Sequence, residues 1–107
     1  MTAKPEMKSA LECTLKVKVG EYGVVCLPSN PSTGYHWVLP AMPECINLTS
    51  SGWFAAIPVP HPGAPGFQYF VFRGVTKTAT PAKMTFSLLT PAGQPVQNAI
   101  CTVTVTA

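Results

Sequence analysis

Apolar and polar residues alternate along this chain, and that alternation constrains the fold more than any other feature. Leu11, Cys13, Leu15, Val17 and Val19 alternate with Glu12, Thr14, Lys16 and Lys18. Successive side chains of a strand point to opposite faces, so the spacing predicts a half-buried β-strand over 11–19 with a charged outer face. The same period returns at the C-terminal end, where Ala99, Cys101, Val103 and Val105 alternate with Ile100 and three threonines. Between these runs the chain is cut by twelve prolines and eight glycines. Proline lacks the backbone donor and clashes inside a helix, so no long helical period survives. Coiled coils and helical bundles are thereby excluded.

The remaining strands follow from β-branched and aromatic runs bounded by turn residues. They are expected over 22–28, 35–39, 53–57, 67–75 and 83–89. Residues 40–50, with Pro40 and Pro43, read as irregular, as do the loops 58–66 and 91–95. Val25, Leu27, Trp37, Phe70, Phe72, Met84, Phe86 and Leu88 are expected to face a core, and Cys26 to face out. Seven to eight short strands separated by turn clusters make an all-β fold, a sandwich whose sheets each have one packed and one wet face. The expected organisation is a flexible tail over 1–9 and a single domain over 10–107.

Composition narrows the chemistry. Hydrophobic residues are 47% of the chain, charged residues only 10%, and the formal net charge is +3. Intrinsic disorder requires the opposite balance. The positive charge is too small and too dispersed for a nucleic-acid surface. Aspartate is absent and the glutamates are scattered at 6, 12, 21 and 44, so paired carboxylates for acid–base catalysis are not expected. Cys13, Cys26, Cys45 and Cys101 contain no C-x-x-C, and no histidine pair stands at zinc-ligand spacing. His36 or His61 could formally serve Cys26 or Cys45 in a nucleophilic pair, but no local signature supports one. The expectation is a protein that is not an enzyme and has no cofactor and no metal. The first ten residues hold no apolar stretch of a secretory signal. That leads to the expectations of an intracellular place, cytoplasmic or vesicular, of four reduced thiols, and of an unmodified Asn47-Leu48-Thr49. A monomer is expected, with no nucleic-acid or membrane partner.

The informative residues lie in the loops. Asn30-Pro31-Ser32-Thr33-Gly34-Tyr35 is built for stiffness. Pro31 fixes its own φ, Asn30 can cap the turn through its side chain, and Gly34 permits positive φ. Ser32 and Thr33 are expected at the tip with hydroxyls outward. Taken alone, this segment is also compatible with an ordinary turn between two strands.

Together with its flanks, Leu27-Pro28-Ser29-Asn30-Pro31-Ser32-Thr33-Gly34-Tyr35-His36-Trp37 resembles the signature of the chagasin family, N-P-[ST]-T-G-[YF]-x-W. Gly63-Ala64-Pro65-Gly66-Phe67-Gln68-Tyr69-Phe70 resembles the family's second motif, G-x-x-G-x-x-x-F. The third motif, Arg-Pro-Trp, corresponds to Thr90-Pro91-Ala92 and keeps only its proline. The resemblance spans residues 11 to 107. It implies an immunoglobulin-like antiparallel β-sandwich. It also implies a tight, reversible, competitive inhibitor of papain-like cysteine peptidases, cathepsin-L-like or similar, that fills the active-site cleft with three loops, 30–35, 61–69 and 90–97. The binding residues so implied are Asn30, Pro31, Ser32, Thr33, Gly34 and Tyr35; Gly63, Ala64, Pro65, Gly66, Phe67 and Tyr69; and Thr90, Pro91 and Ala92. The loss of Arg and Trp from the third motif leaves one alternative, a non-inhibitory module of the same fold that recognises a protein or glycan; a second, independent alternative is a thiol-dependent enzyme or redox protein using Cys26 or Cys45.

Overall fold

The computed structural model describes residues 10–55 and 65–107. Seven strands appear among them: β1 (Leu11–Lys18), β2 (Tyr22–Ser29), β3 (His36–Val38), β4 (Ile46–Ala55), β5 (Gly66–Gly74), β6 (Ala82–Leu89) and β7 (Pro95–Thr106). A single 3-10 turn, Pro31–Thr33, lies between β2 and β3. One sheet has the order β1-β7-β6-β3 and the other β2-β5-β4.

The two sheets pack through the alternating residues that the period marked. Leu15 and Val17 of β1, Val25 and Leu27 of β2, Phe70 and Phe72 of β5, Met84 and Phe86 of β6 and Cys101, Val103 and Val105 of β7 are buried in one core. Phe86 joins the layers, with its ring centroid 4.8 Å from that of Phe70 and 6.4 Å from that of Phe72. Leu88 is only half-buried at the rim of this core. The outer face of the larger sheet carries Glu12, Thr14, Lys16, Lys18 and Lys83 in solvent, as the charged alternation required.

Several boundaries differ from the sequence expectation, each for a local reason. The pairing is not antiparallel throughout: β1 runs parallel to β7, with Cys13 opposite Cys101 and Leu15 opposite Val103. No hairpin joins the first strand to the last, so turn geometry does not set their relative direction. Val19 lies beyond β1 and is 48% exposed, although it continues the apolar alternation. The largest change is in β4. It begins at Ile46, not at 53, and takes in residues that read as irregular. Ile46 is buried, but most of the strand after it is exposed. This strand is one edge of its sheet, and β3, an edge of the opposing sheet, is only three residues long. With little to cover it, β4 has no need of period-two apolar residues, and its polar stretch hid it. A register shift between Leu48 and Ser50 interrupts the β4–β5 ladder, where the Thr49 hydroxyl donates to the Val71 carbonyl at 3.1 Å. The last strand starts at Pro95 and buries Val96, four residues before the expected alternation. The expected tail over 1–9, and residues 56–57 and 58–64 of the expected fourth strand and second loop, lie outside the described residues.

Candidate functional site

The three candidate loops leave the sandwich at one end. In the smaller sheet Ser29, Gly66 and Ala55 stand side by side, as the last residue of β2, the first of β5 and the last of β4. In the larger sheet His36 pairs with Leu89 and Leu89 with Pro95, so β3 begins where β6 ends and β7 begins. The strand registers therefore bring the loops 30–35 and 90–94 to one end, level with Ala55 and Gly66, the strand residues that flank the second loop.

The first loop is bonded to itself. The Asn30 side chain accepts from the Ser32 amide at 3.2 Å and from the Ser32 hydroxyl at 2.7 Å. The Thr33 hydroxyl donates to the Asn30 carbonyl at 2.7 Å and accepts from the Tyr35 amide at 3.3 Å. The hydroxyls expected to point outward are thus spent inside the loop, while Ser32, Thr33, Gly34 and Tyr35 remain exposed. Asn30 is half-buried at the base, and Pro31 opens the 3-10 turn. Gly34 has φ +76°, the left-handed geometry that glycine adopts without strain. A Cβ there would lie 2.8 Å from Pro91 Cγ, so the tip of the first loop rests against the third.

The third loop is closed by Thr90. Its hydroxyl accepts from the Gln94 amide at 3.1 Å, its amide donates to the Gln94 carbonyl at 2.8 Å, and its carbonyl accepts from Gly93 at 2.8 Å. Thr90 is buried; Pro91 and Ala92 are the exposed members of the motif. Of the second loop, Gly63 and Ala64 lie outside the described residues, Pro65 is exposed, and Gly66 is buried. Phe67 and Tyr69 are half-buried on the outer face of β5, where Phe54 of β4 packs against both rings at centroid distances of 5.5 and 6.2 Å. They are cross-strand packing partners that keep an exposed edge.

The bases of the loops are held by three side chains that the motif reading did not assign to the site. The Trp37 indole donates to the Pro28 carbonyl at 2.9 Å, and the Trp53 indole to the next carbonyl, that of Ser29, at 3.3 Å. Trp53 stands on β4, two strands away from Ser29. Its ring reaches there by crossing Gly66, where any Cβ would overlap Trp53 Cζ2 and Cε2. Gly66 is therefore needed for this crossing. The third side chain is Gln68. It accepts from the Trp37 amide at 2.9 Å and donates to the Trp37 carbonyl at 2.8 Å. A side-chain amide thereby pairs the free edge of β3 as another strand would, and ties it to β5 in the opposite sheet. The signal for Gln68 was a polar residue at an inward position of β5, between Gly66 and Phe70.

Thiol chemistry does not belong to this end. Cys13 and Cys101 face each other across β1 and β7. Burial raises the pKa of Cys13, and burial reinforced by Cys13 pushes Cys101 up to about 12, which holds it as an unreactive thiol. Cys45 is buried and Cys26 is exposed on the outer face of β2.

A sandwich of two sheets whose first and third loops meet at one end is a scaffold that presents a stiff, largely uncharged tip. The model of the chagasin family, "Chagasin family peptidase inhibitor I42", matches residues 16–107. The chain belongs to the chagasin family of peptidase inhibitors. Solved structures with the same fold include PbICP-C, determined in complex with falcipain-2, at 19% identity and a TM-score of 0.67, with 99% of this chain and 95% of that one covered. The cysteine protease inhibitor EhICP2 of Entamoeba histolytica gives 19% identity and a TM-score of 0.64 over 95% of this chain and 99% of its own. Amebosin gives 22% identity and 0.64 over 96% and 100%. No curated protein matches the sequence.

Proposed function

We propose that this chain inhibits papain-like cysteine peptidases competitively and reversibly, without catalysis of its own, by seating the three loops in the active-site cleft. The observation that carries this reading is the Gly34–Pro91 contact together with the self-bonded first loop: two loops far apart in the chain form one stiff tip. Such a tip loses little conformational freedom on docking, so more of its contact energy appears as affinity. A papain-like cleft holds a thiolate beside an imidazolium, with hydrogen-bond donors around it. The small exposed residues Ser32, Thr33 and Gly34 fit a narrow slot and offer bare backbone to those donors. Because Ser32 and Thr33 turn their hydroxyls inward, the shape of the backbone matters here more than the hydroxyls. A tip that brings no peptide carbonyl into line with the thiolate is bound and left uncut.

The third loop contributes by support, since Thr90 closes it and Pro91 braces Gly34. The test is a steady-state titration of papain and a cathepsin-L-like enzyme at several substrate concentrations. Inhibition that substrate relieves is expected. An absence of inhibition at micromolar protein, with binding to a protein or glycan instead, would replace this reading with that of a non-inhibitory module.

A further inference from the structure

Among the described residues, the inner side of β4 is left largely uncovered near the loops. The opposing sheet ends in β3, which is three residues long, so among the described residues no strand lies over Ser51 and Trp53 although both occupy inward positions, opposite Phe70 and Gln68 of β5. Ser51 is exposed and Trp53 is 37% exposed. The space between this strand and the first loop is an open groove of about 270 Å³, with Tyr35 and His36 on one side and Trp53 and Ser51 on the other. A cavity of ~150 Å³ suffices for a benzene ring, so there is room for one large side chain. No carboxylate, lysine or arginine lines the groove. It is built into the same end of the molecule as the loops: Tyr35 belongs to the first loop, and the Trp53 indole is bonded to Ser29 at that loop's base.

We propose that this groove is a fourth contact of the inhibitor, and that it receives an uncharged, apolar side chain from the rim of the target peptidase's cleft. The proposal rests on the inhibitory reading above. Continuity with the first loop decides the occupant: a peptidase that encloses the tip of residues 32–34 brings its rim down beside Tyr35, where the groove opens. The groove is also the place where an exposed tryptophan remains available at the binding end. Tryptophan is among the residue types that most often dominate interfaces, and the third loop carries alanine where its family carries one. Contact on the β4 side thus shifts the inhibitor's grip from the third loop toward the first.

The experiment measures inhibition constants against papain for wild type, Ser51→Lys and Leu48→Lys. Ser51→Lys places a long cation at the groove's rim on an exposed strand position. Leu48→Lys places the same cation on the same uncovered strand, beside Phe72 at the end away from the loops. Thermal melts and circular dichroism check that both variants fold. The expected result is an inhibition constant raised about tenfold or more by Ser51→Lys and changed less than about twofold by Leu48→Lys. If wild type inhibits and Ser51→Lys inhibits equally well, the groove is no contact and this inference falls while the inhibitory reading stands. Equal losses in the two variants overturn it too, because the contact would then run along the whole strand. Failure of wild type itself to inhibit removes the reading on which the groove depends.

Discussion

Replacing Gly34 by alanine, beside the same change at Gly93, separates backbone strain from contact between loops. Both glycines hold positive φ, +76° at Gly34 and +84° at Gly93. A non-glycine residue in left-handed geometry costs about 1–2 kcal/mol, so each variant carries that strain. The surroundings differ. A Cβ at Gly93 meets nothing within 4 Å, whereas at Gly34 it lies 2.8 Å from Pro91 Cγ and 3.3 Å from Pro91 Cβ. Forcing a group into occupied space typically costs a further ~1–3 kcal/mol, or else the loops part. Either response damages the tip. At roughly 4–8 °C per kcal/mol for a domain of this size, Gly93→Ala lowers the melting temperature modestly. Gly34→Ala lowers it further, or separates the loops and raises the inhibition constant by about tenfold or more, since ~1.4 kcal/mol is a factor of ten. Gly34→Val is worse than Gly34→Ala, because a β-branched residue is least tolerant of this φ. Ser32→Ala is the mild reference: it removes one exposed hydrogen bond, worth about 0.5–1.5 kcal/mol. The assays are calorimetric melting and the inhibition constant against papain. Identical melting and inhibition in Gly34→Ala and Gly93→Ala would refute the argument that Pro91 braces the first loop.

Gln68→Leu leaves the Trp37 amide and carbonyl without their partners, at about 1–3 kcal/mol for a buried group left unpaired; denaturant titration should show the loss, and a wild-type midpoint would refute the clamp. Phe70→Ala removes a buried ring packed on Phe86 and should cost ~3–5 kcal/mol, whereas Tyr69→Ala on the outer face should weaken inhibition more than stability; equal melting losses would contradict the register of β5. The Cys101 thiol, pushed from its ordinary 9.0 to about 12 by burial and by Cys13, stays protonated in the native state while the unfolded chain releases the proton. Stability is then full below pH 9 and declines as the pH rises toward 12, and Cys101→Ala should flatten that decline in denaturant midpoints taken from pH 8 to 11. Rapid alkylation at neutral pH should modify Cys26 well before Cys13 or Cys101, and equal rates would contradict their burial.

Much of this molecule is determined by sequence alone. The period of two in Leu11–Val17 and Ala99–Val105 places each side chain on its face, because a strand admits only two faces. Asn30, Pro31 and Gly34 determine a stiff turn through local dihedral preferences and one short-range cap. These interactions act within a few residues, so the linear pattern carries them. The tertiary structure decides what depends on distant neighbours. The parallel course of β1 beside β7 follows from the path of the whole chain between them. The length of β4 was hidden because an edge strand facing little or nothing need not alternate. The burial of Thr90 and the meeting of Gly34 with Pro91 depend on partners that only the folded chain brings near. Above all, Trp53 reaches Ser29 across Gly66, and Gln68 pairs the edge of β3, because two sheets pack face to face and bring these groups together at one end. Each is a contact between segments far apart in the chain, and no residue's own preferences contain it.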